Sequence, residues 1–355
     1  MEEMLRSWDG EGLTLVFDKQ TRSWIIIAIH SSVLGPAAGG TRMKTYASLE
    51  EAVKDAQRLA EGMTYKWAAA GSVRGGGKAV LFVPPDQTAA ERKALFKRYG
   101  QEINNLGGRF YTGPDLGTST EDMDFIGQFA PDYVFGRSAK FGGAGDPAPF
   151  TALGIFTAME VTAQHLVAEP LLENWRIVIQ GAGNVGRSLA KMLQEVCADV
   201  LCSDINAQSV RFCTEVLGLT FIPADEIYET HCDIFAPCAV GGVINHRTIP
   251  RFNCKAIVGG ANNQLARPQD AESLRARGIL YAPDFIANCG GAIAITEIEA
   301  AGWSAEKAAE VIRSSVRDNL TQIFELSSQQ DISTNQAAHL LAEMRIESKK
   351  SRKIG

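Results

Sequence analysis

Four features of this 355-residue sequence could do chemistry: a glycine-rich turn, two lysines and an aspartate. Ile177-Val178-Ile179-Gln180 runs directly into Gly181-Ala182-Gly183-Asn184-Val185-Gly186. A helix with Val185, Leu189, Met192, Leu193 and Val196 on one face follows. Between a strand and a helix, the G-x-G-x-x-G spacing makes a dinucleotide cradle. Gly181 permits the tight turn, Gly183 lets a pyrophosphate approach the backbone, and Gly186 packs helix on strand. The helix start at Asn184 and Val185 offers free N–H groups to phosphate. Asp204 ends the next strand. Its carboxylate can accept hydrogen bonds from ribose hydroxyls and would repel a 2′-phosphate, so NAD is expected rather than NADP.

Lys66 follows Met63 by three residues and so continues the apolar stripe of a long helix. Stripping an ammonium of water costs several kcal/mol. Either the helix has ended and Lys66 is solvated, or it faces a cleft where an anion compensates. Lys78 follows Gly75-Gly76-Gly77 and opens a strand. Three glycines are costly in conformational entropy and make sense where a substrate or cofactor must come close. Asp115, in Tyr-Thr-Gly-Pro-Asp, lies on a loop between a strand and a capped helix, a usual place for catalytic groups. A plain turn aspartate would look the same.

The elements that must position these groups alternate between strand and helix. Leu13–Phe17 and Trp24–Ile29 predict a hairpin. Ser48 and Glu51 form a capping box for the helix carrying Leu49, Ala52, Val53, Ala56, Leu59, Ala60 and Met63. Ala79–Val83 predicts a strand, followed by a helix to about Leu106 and a strand at Arg109–Thr112. Thr118 and Glu121 read as a second capping box for a helix through Phe129. The densest Gly/Pro stretch, Phe141–Pro149, marks a hinge. Beyond it come strands at Ile177–Gln180, Asp199–Ser203, Thr220–Ile222, Asp233–Ala236, Ala256–Val258 and Ile279–Tyr281, and late helices near Ala305–Leu326 and Thr334–Glu347. Apolar strands alternating with helices predict a parallel sheet covered on both faces. The expected fold is α/β in two domains separated by a cleft. Residues 1–145 form a substrate and oligomerisation domain, onto which a C-terminal helix of about 328–349 packs back. Residues 146–327 form a doubly wound Rossmann domain.

Composition narrows the function classes. Hydrophobic residues at 45% and charged residues at 21% are globular values. A net charge of −6 argues against electrostatically driven nucleic-acid binding. No run of about 18 apolar residues is present, so no membrane span is expected. The first ten residues are acidic and polar, with no secretion segment, and seven cysteines without a C-x-x-C pair suit a reducing, cytoplasmic setting. The five histidines lack metal-ligand spacing, so no metal is expected.

Several longer motifs occur in order: Gly35–Arg42 (GPAAGGTR), Met63–Lys78 (MTYKWAAAGSVRGGGK), Thr112–Asp124 (TGPDLGTSTEDMD), the G-x-G-x-x-G, Phe235–Gly242 (FAPCAVGG), Gly260–Leu265 (GANNQL) and Tyr281–Gly291 (YAPDFIANCGG). From about residue 12 to residue 345 the chain resembles the glutamate/leucine/phenylalanine/valine dehydrogenase family, and its leucine and phenylalanine branch in particular. The resemblance implies NAD-dependent oxidative deamination of an L-amino acid to the 2-oxo acid and ammonia. It implies that Lys66 binds the substrate carboxylate. Lys78, lowered in pKa, would polarise the carbonyl or attacking water, and Asp115 would shuttle protons. Gly39 and Gly40 would leave room for the substrate. Thr151, with Asn262 or Asn263, would orient the nicotinamide or the substrate amine, and Cys238 and Ala239 would flank the cofactor. A homo-oligomer is also implied.

The family's glutamate branch carries a lysine where this chain has Ala38, so an anionic side chain would be left unpaired here. By resemblance Ala38, Gly113 and Ala292 line the side-chain pocket, and leucine enzymes are bulkier there. Three small residues widen the pocket and favour phenylalanine or tryptophan over leucine, unless Ile286 or Ile295 refills the space. Trp67, Arg74 and Gly260 depart from the family pattern. Two rival readings are an inactive binding protein with this fold and a 2-hydroxy acid dehydrogenase. The first conflicts with the presence of Lys66, Lys78, Asp115 and Asp204; the second needs a histidine in a motif, and none is there.

Overall fold

A computed structural model describes residues 2–168 and 171–354, the side chains of 352–354 excepted. The chain divides into two units. The first is Met1–Gly145 with Ile295–Trp303 and Ala342–Gly355; the second is Asp146–Ala294 with Ser304–Leu341.

The first unit begins α1 (Glu2–Ser7), β1 (Gly12–Asp18), β2 (Ser23–Ser31), β3 (Ala37–Lys44) and α2 (Leu49–Ala69). It continues β4 (Gly75–Phe82), α3 (Ala89–Asn105), β5 (Phe110–Pro114) and α4 (Thr120–Ile126). The expected hairpin forms, its turn closed by the Asp18 carboxylate, which accepts from the Gln20 N–H and the Thr21 hydroxyl. The sheet runs β1-β2-β4-β3-β5; β3 lies parallel to both β4 and β5, and the other pairs are antiparallel. β2 reads SWIIIAIHS because both its faces are covered. Ile26, Ala28 and Val80 pack on the alanine-rich stripe of α2. Ile25, Ile27 and Leu81 pack on Leu95, Tyr99 and Ile103 of α3 and on Met123 and Ile126 of α4. Each isoleucine withdrawn from water contributes ~2 kcal/mol.

Two local readings need correction. The stretch Ala37–Lys44, noted only as a motif, is a strand; its paired glycines hide the alternation by which strands are recognised. The cap of α4 is Ser119 with Asp122, one residue later than Thr118 with Glu121. Thr118 is used otherwise: its hydroxyl donates to the Thr41 carbonyl and accepts from the Asp115 N–H.

The second unit contains α5 (Ala148–Val167), β6 (Arg176–Gln180), α6 (Asn184–Glu195), β7 (Asp199–Ser203), α7 (Ala207–Arg211), β8 (Thr220–Phe221), β9 (Cys232–Pro237) and β10 (Cys254–Ile257). There follow α8 (Asp270–Ala276), β11 (Leu280–Tyr281), α9 (Asp284–Ala287) and α11 (Ala305–Gln330), while α10 (Gly290–Ala301) and α12 (Thr334–Ile354) pass into the first unit after Ala294 and Leu341. All its strands are parallel, in the order β8-β7-β6-β9-β10-β11. The winding reverses between β6 and β9, which makes this a doubly wound Rossmann sheet with its ligand edge at their carboxyl ends.

Residues 295–303, read from sequence with the dinucleotide domain, belong to the first unit. Glu299 on α10 accepts from the Gly136 and Ala144 N–H groups at 3.0 Å each, which ties this segment down. Residues 328–341, read with the first domain, belong to the second. There Thr334 donates to the Tyr281 carbonyl at 2.6 Å and the Ser333 N–H donates to Glu272 at 2.7 Å. Among the described residues no helix is long and apolar enough to cross a membrane.

Candidate active site

Lys78 lies two residues before Val80, which packs on α2, so its side chain leaves the sheet on the α2 face. It is only 7% exposed, and its Nζ stands 3.1 Å from Asp115 Oδ2. Burial pushes the Lys78 ammonium below the ordinary lysine range; Arg42 and Lys66 push the same way, and Asp115 pulls back. Burial acts to raise the Asp115 carboxyl, but the fields of Lys78 and Arg42 outweigh it and hold it below the usual carboxylate range. Lys66 occupies the last turn of α2, half-buried, on a helix that continues to Ala69. The helix therefore does not end before Lys66. Three elements, α2, β4 and the end of β5, thus supply two ammonium groups and a carboxylate to one face of one sheet.

Sequence reasoning missed Arg42. It stands on β3, two residues from Gly40, and its Nε donates to Asp115 Oδ2 at 3.0 Å. A guanidinium within a strand that was itself unrecognised gave no signal beyond its place in the motif.

The glycines divide into two kinds. A Cβ on Gly40 would lie 2.9 Å from Asp115 Cβ and 3.3 Å from Lys78 Nζ, so this glycine clears space for the charged groups. Gly75, Gly76 and Gly77 do not face a ligand, as their run suggested. Cβ atoms there would strike the Ser31 carbonyl at 2.1 Å, Thr64 Oγ1 at 2.0 Å and the Phe110 ring at 2.8 Å. They let α2 and the neighbouring strands approach β4. Gly39 belongs with them, since its Cβ would meet the Gly77 carbonyl oxygen at 1.8 Å.

Ala38 is buried on β3, and the Trp67 indole donates to its carbonyl at 2.9 Å. Trp67, one of the departures from the family pattern, is thus a core strut between α2 and β3. Gly113 pairs with Gly40 across β3–β5, and a Cβ there would meet nothing closer than the Phe135 carbonyl at 3.6 Å. Arg74, the second departure, is buried with its guanidinium 5.0 Å from the Tyr111 ring centre and 3.8 Å from Glu297.

In the second unit the glycine motif adopts the cradle geometry. Gly181 has φ +102°, and a Cβ would strike Ala239 at 2.8 Å. Gly186 would strike the Gly181 carbonyl oxygen at 2.0 Å, whereas Gly183 has no atom within 4 Å. Gly183 is therefore the glycine that leaves room for a ligand. The first N–H groups of α6, from Asn184 and Val185 onward, have no intrahelical acceptor. Asp204 accepts from the Ala182 N–H at 2.7 Å and from the Asn206 N–H at 2.7 Å, which locks the acidic residue against the turn. Its oxygens keep further acceptor capacity for hydroxyls.

The loops after β9 and β10 flank this turn. The Cys238 N–H donates to the Gln180 carbonyl at 2.7 Å, and the Gly242 N–H to the Asn263 carbonyl at 2.7 Å. Asn263 holds a left-handed φ of +53°, a conformation asparagine tolerates better than most residues. The Asn288 amide donates to Asn262 Oδ1 at 2.8 Å. Gly260, the third departure, faces Ile155 Cδ1 at 2.8 Å, so an isoleucine fills the space of the missing methyl. Thr151 donates to the Pro147 carbonyl on the first turn of α5, against Gly291 at the start of α10, and Ala292 follows. Ala38 and Gly113 belong to the first unit, Ala292 to the second. Among the described residues no group of three or more His, Cys, Asp or Glu could hold a metal.

Residues 19–130 match the family model described as Glu/Leu/Phe/Val dehydrogenase, dimerisation domain, and residues 205–353 match that of Glutamate/Leucine/Phenylalanine/Valine dehydrogenase. The chain belongs to this family. It is an amino acid dehydrogenase, an oxidoreductase dependent on a pyridine nucleotide. It is 42% identical to leucine dehydrogenase of Geobacillus stearothermophilus over 97% of this chain and 92% of that one. It is 41% identical to phenylalanine dehydrogenase of Lysinibacillus sphaericus over 92% and 86% respectively. The crystal structure of L-tryptophan dehydrogenase from Nostoc punctiforme superposes with a TM-score of 0.87 at 37% identity, covering 99% of this chain and 100% of that one. Family membership rules out the 2-hydroxy acid reading.

Proposed function

We propose that this dehydrogenase catalyses the reversible, NAD-dependent oxidative deamination of an aromatic L-amino acid, phenylalanine or tryptophan. The zwitterionic amino acid, NAD⁺ and water give the 2-oxo acid, ammonium, NADH and a proton. When bound, the cofactor supplies the hydride acceptor at the α-carbon. The observation that carries the reading is the buried Lys78–Asp115 pair beside Gly40, with the half-buried Lys66 on the same face.

Lys66 holds the substrate carboxylate by charge. Asp115 takes the proton from the substrate ammonium, so that the nitrogen lone pair can assist hydride departure. Water then adds to the α-carbon of the imino acid and gives one proton to neutral Lys78. Asp115 returns its proton to the amine, which leaves as ammonia and takes up the hydroxyl proton as the carbonyl forms, and Lys78 releases its proton to solvent. Burial, which holds Lys78 below the ordinary lysine range, makes the neutral form that these steps require easier to reach. The open Gly183, the free amides at Asn184 and Val185, and Asp204 suit a pyrophosphate and a ribose carrying free hydroxyls, which favours NAD. Thr151, Cys238, Ala239, Asn262 and Asn263 complete the cofactor side in this reading.

For the side chain, Ala38 carries no charge to meet a substrate carboxylate. The room at Gly113, where a Cβ would meet nothing closer than 3.6 Å, suits a ring. A branched aliphatic substrate is the second reading, supported by the likeness to leucine dehydrogenase. The ratio of kcat/KM among phenylalanine, tryptophan and leucine with NAD decides between them; a tenfold preference for leucine would end the aromatic reading. The matched dimerisation domain supports a homo-oligomer, and seven free cysteines support a reducing cytoplasmic setting.

A further inference from the structure

Arg42 makes two ion pairs in opposite directions. Its Nη1 meets Asp55 on α2 at 3.1 Å, and its Nε meets Asp115 at 3.0 Å. Asp55 is itself held by the Tyr46 hydroxyl at 2.8 Å and by Arg58 at 2.8 Å, so the back of the guanidinium is braced. A strut between β3 and α2 needs only the Asp55 arm. The arm to Asp115 does something else.

Arg42 and Lys78 both engage Oδ2 of Asp115. The contacts of both cations fall on this one oxygen, and the side chain keeps 26% of its surface accessible. The Asp115 N–H, anchored on Thr118, fixes the backbone behind it. The carboxylate is therefore clamped by one oxygen and presents the other. The two clamping cations are not equivalent. Lys78 is buried and can lose its proton; a guanidinium cannot. When Lys78 is neutral, Arg42 still holds Oδ2 and still favours the ionised carboxylate. Without Arg42, Lys78 and Asp115 would be free to share one proton as a coupled pair.

We propose that Arg42 is the positioning residue for Asp115, keeping it ionised and presenting Oδ1 while Lys78 changes protonation. The proposal rests on reading Asp115 as the proton acceptor. The charged and titratable groups facing the pair are Arg42 from β3, Lys66 and Asp55 from α2, and Tyr46 behind Asp55. Arg42 acts to depress both Asp115 and Lys78. Its removal therefore moves the acidic limb of activity to higher pH, whichever of the two that limb reports.

The test compares pH profiles of kcat and kcat/KM for the wild type and for Arg42→Gln, Arg42→Lys, Asp55→Asn and Asp115→Asn, with NADH binding as the check on folding. The expected result for Arg42→Gln is an acidic limb at least one pH unit higher and a kcat at least tenfold lower, with KM for the amino acid changed less than threefold. Arg42→Lys should recover part of the shift, since one ammonium cannot span both carboxylates, and Asp55→Asn should shift the limb less than Arg42→Gln. If Arg42→Gln does not fold, Arg42→Lys decides: an unmoved limb with kcat within twofold of wild type overturns the proposal. So does an unmoved limb in Arg42→Gln while Asp115→Asn is inactive, an outcome that leaves the functional reading standing. An active Asp115→Asn would overturn both.

Discussion

The two units of this dehydrogenase prepare for charge in opposite ways. In the first, side chains do the work: Lys78, Asp115 and Arg42 arrive from three strand regions and are held by one another. In the second, the backbone does it: Gly183 is open, the start of α6 offers N–H groups, and the one carboxylate, Asp204, is pinned by two amides. A site made of side chains can tune protonation, because each group shifts its neighbours. One made of amides cannot titrate, and so binds a constant anion such as a pyrophosphate without regard to pH.

The sharpest way to break this contrast is Lys78→Ala. It should lower kcat/KM by ~10²–10⁴, the range of a lost general acid–base group, while NADH binding measured by fluorescence stays unchanged. A loss of less than about tenfold would mean that the first unit does not act through its side chains. Gly76→Ala comes next. With Thr64 Oγ1 at 2.0 Å, the methyl forces α2 away and should cost ~3 kcal/mol of stability, read as a lower midpoint in denaturant. An unchanged midpoint would return Gly76 to the ligand-facing class.

Asp204→Ser should narrow the preference for NAD over NADP in kcat/KM by ~10-fold, the worth of about one hydrogen bond to a charged group. Preference unaltered would show that another residue reads the ribose. The smallest stability effect is expected at Gly183→Ala, within ~0.5 kcal/mol, because nothing lies near its Cβ. There the cofactor Kd should rise instead, and a rise without destabilisation is the signature that separates it from Gly76.

The hairpin, α2 and all six strands of the Rossmann sheet could be read in advance, because each is announced by a local period or by a turn. β3 could not, since Gly39 and Gly40 erase its alternation. The cap of α4 was misplaced by one residue because Thr118 and Ser119 are both good caps. Only the fold shows Thr118 committed to Thr41 and Asp115.

Local order along the chain was enough to specify the dinucleotide cradle, since turn, helix start and acidic strand end all lie within one short unit whose geometry its own backbone imposes. The chain also announced which lysines and which aspartate to watch. It could not say what the Gly75–Gly77 run is for, why Trp67 is tolerated, or that residues 295–303 return to the first unit. Those answers depend on partners distant in sequence. Arg42 and Asp115 lie 73 residues apart, and Gly136 and Glu299 lie 163 apart. Such pairs meet only because burying the two sheets' apolar faces leaves these groups no water to turn to, so packing chose their partners.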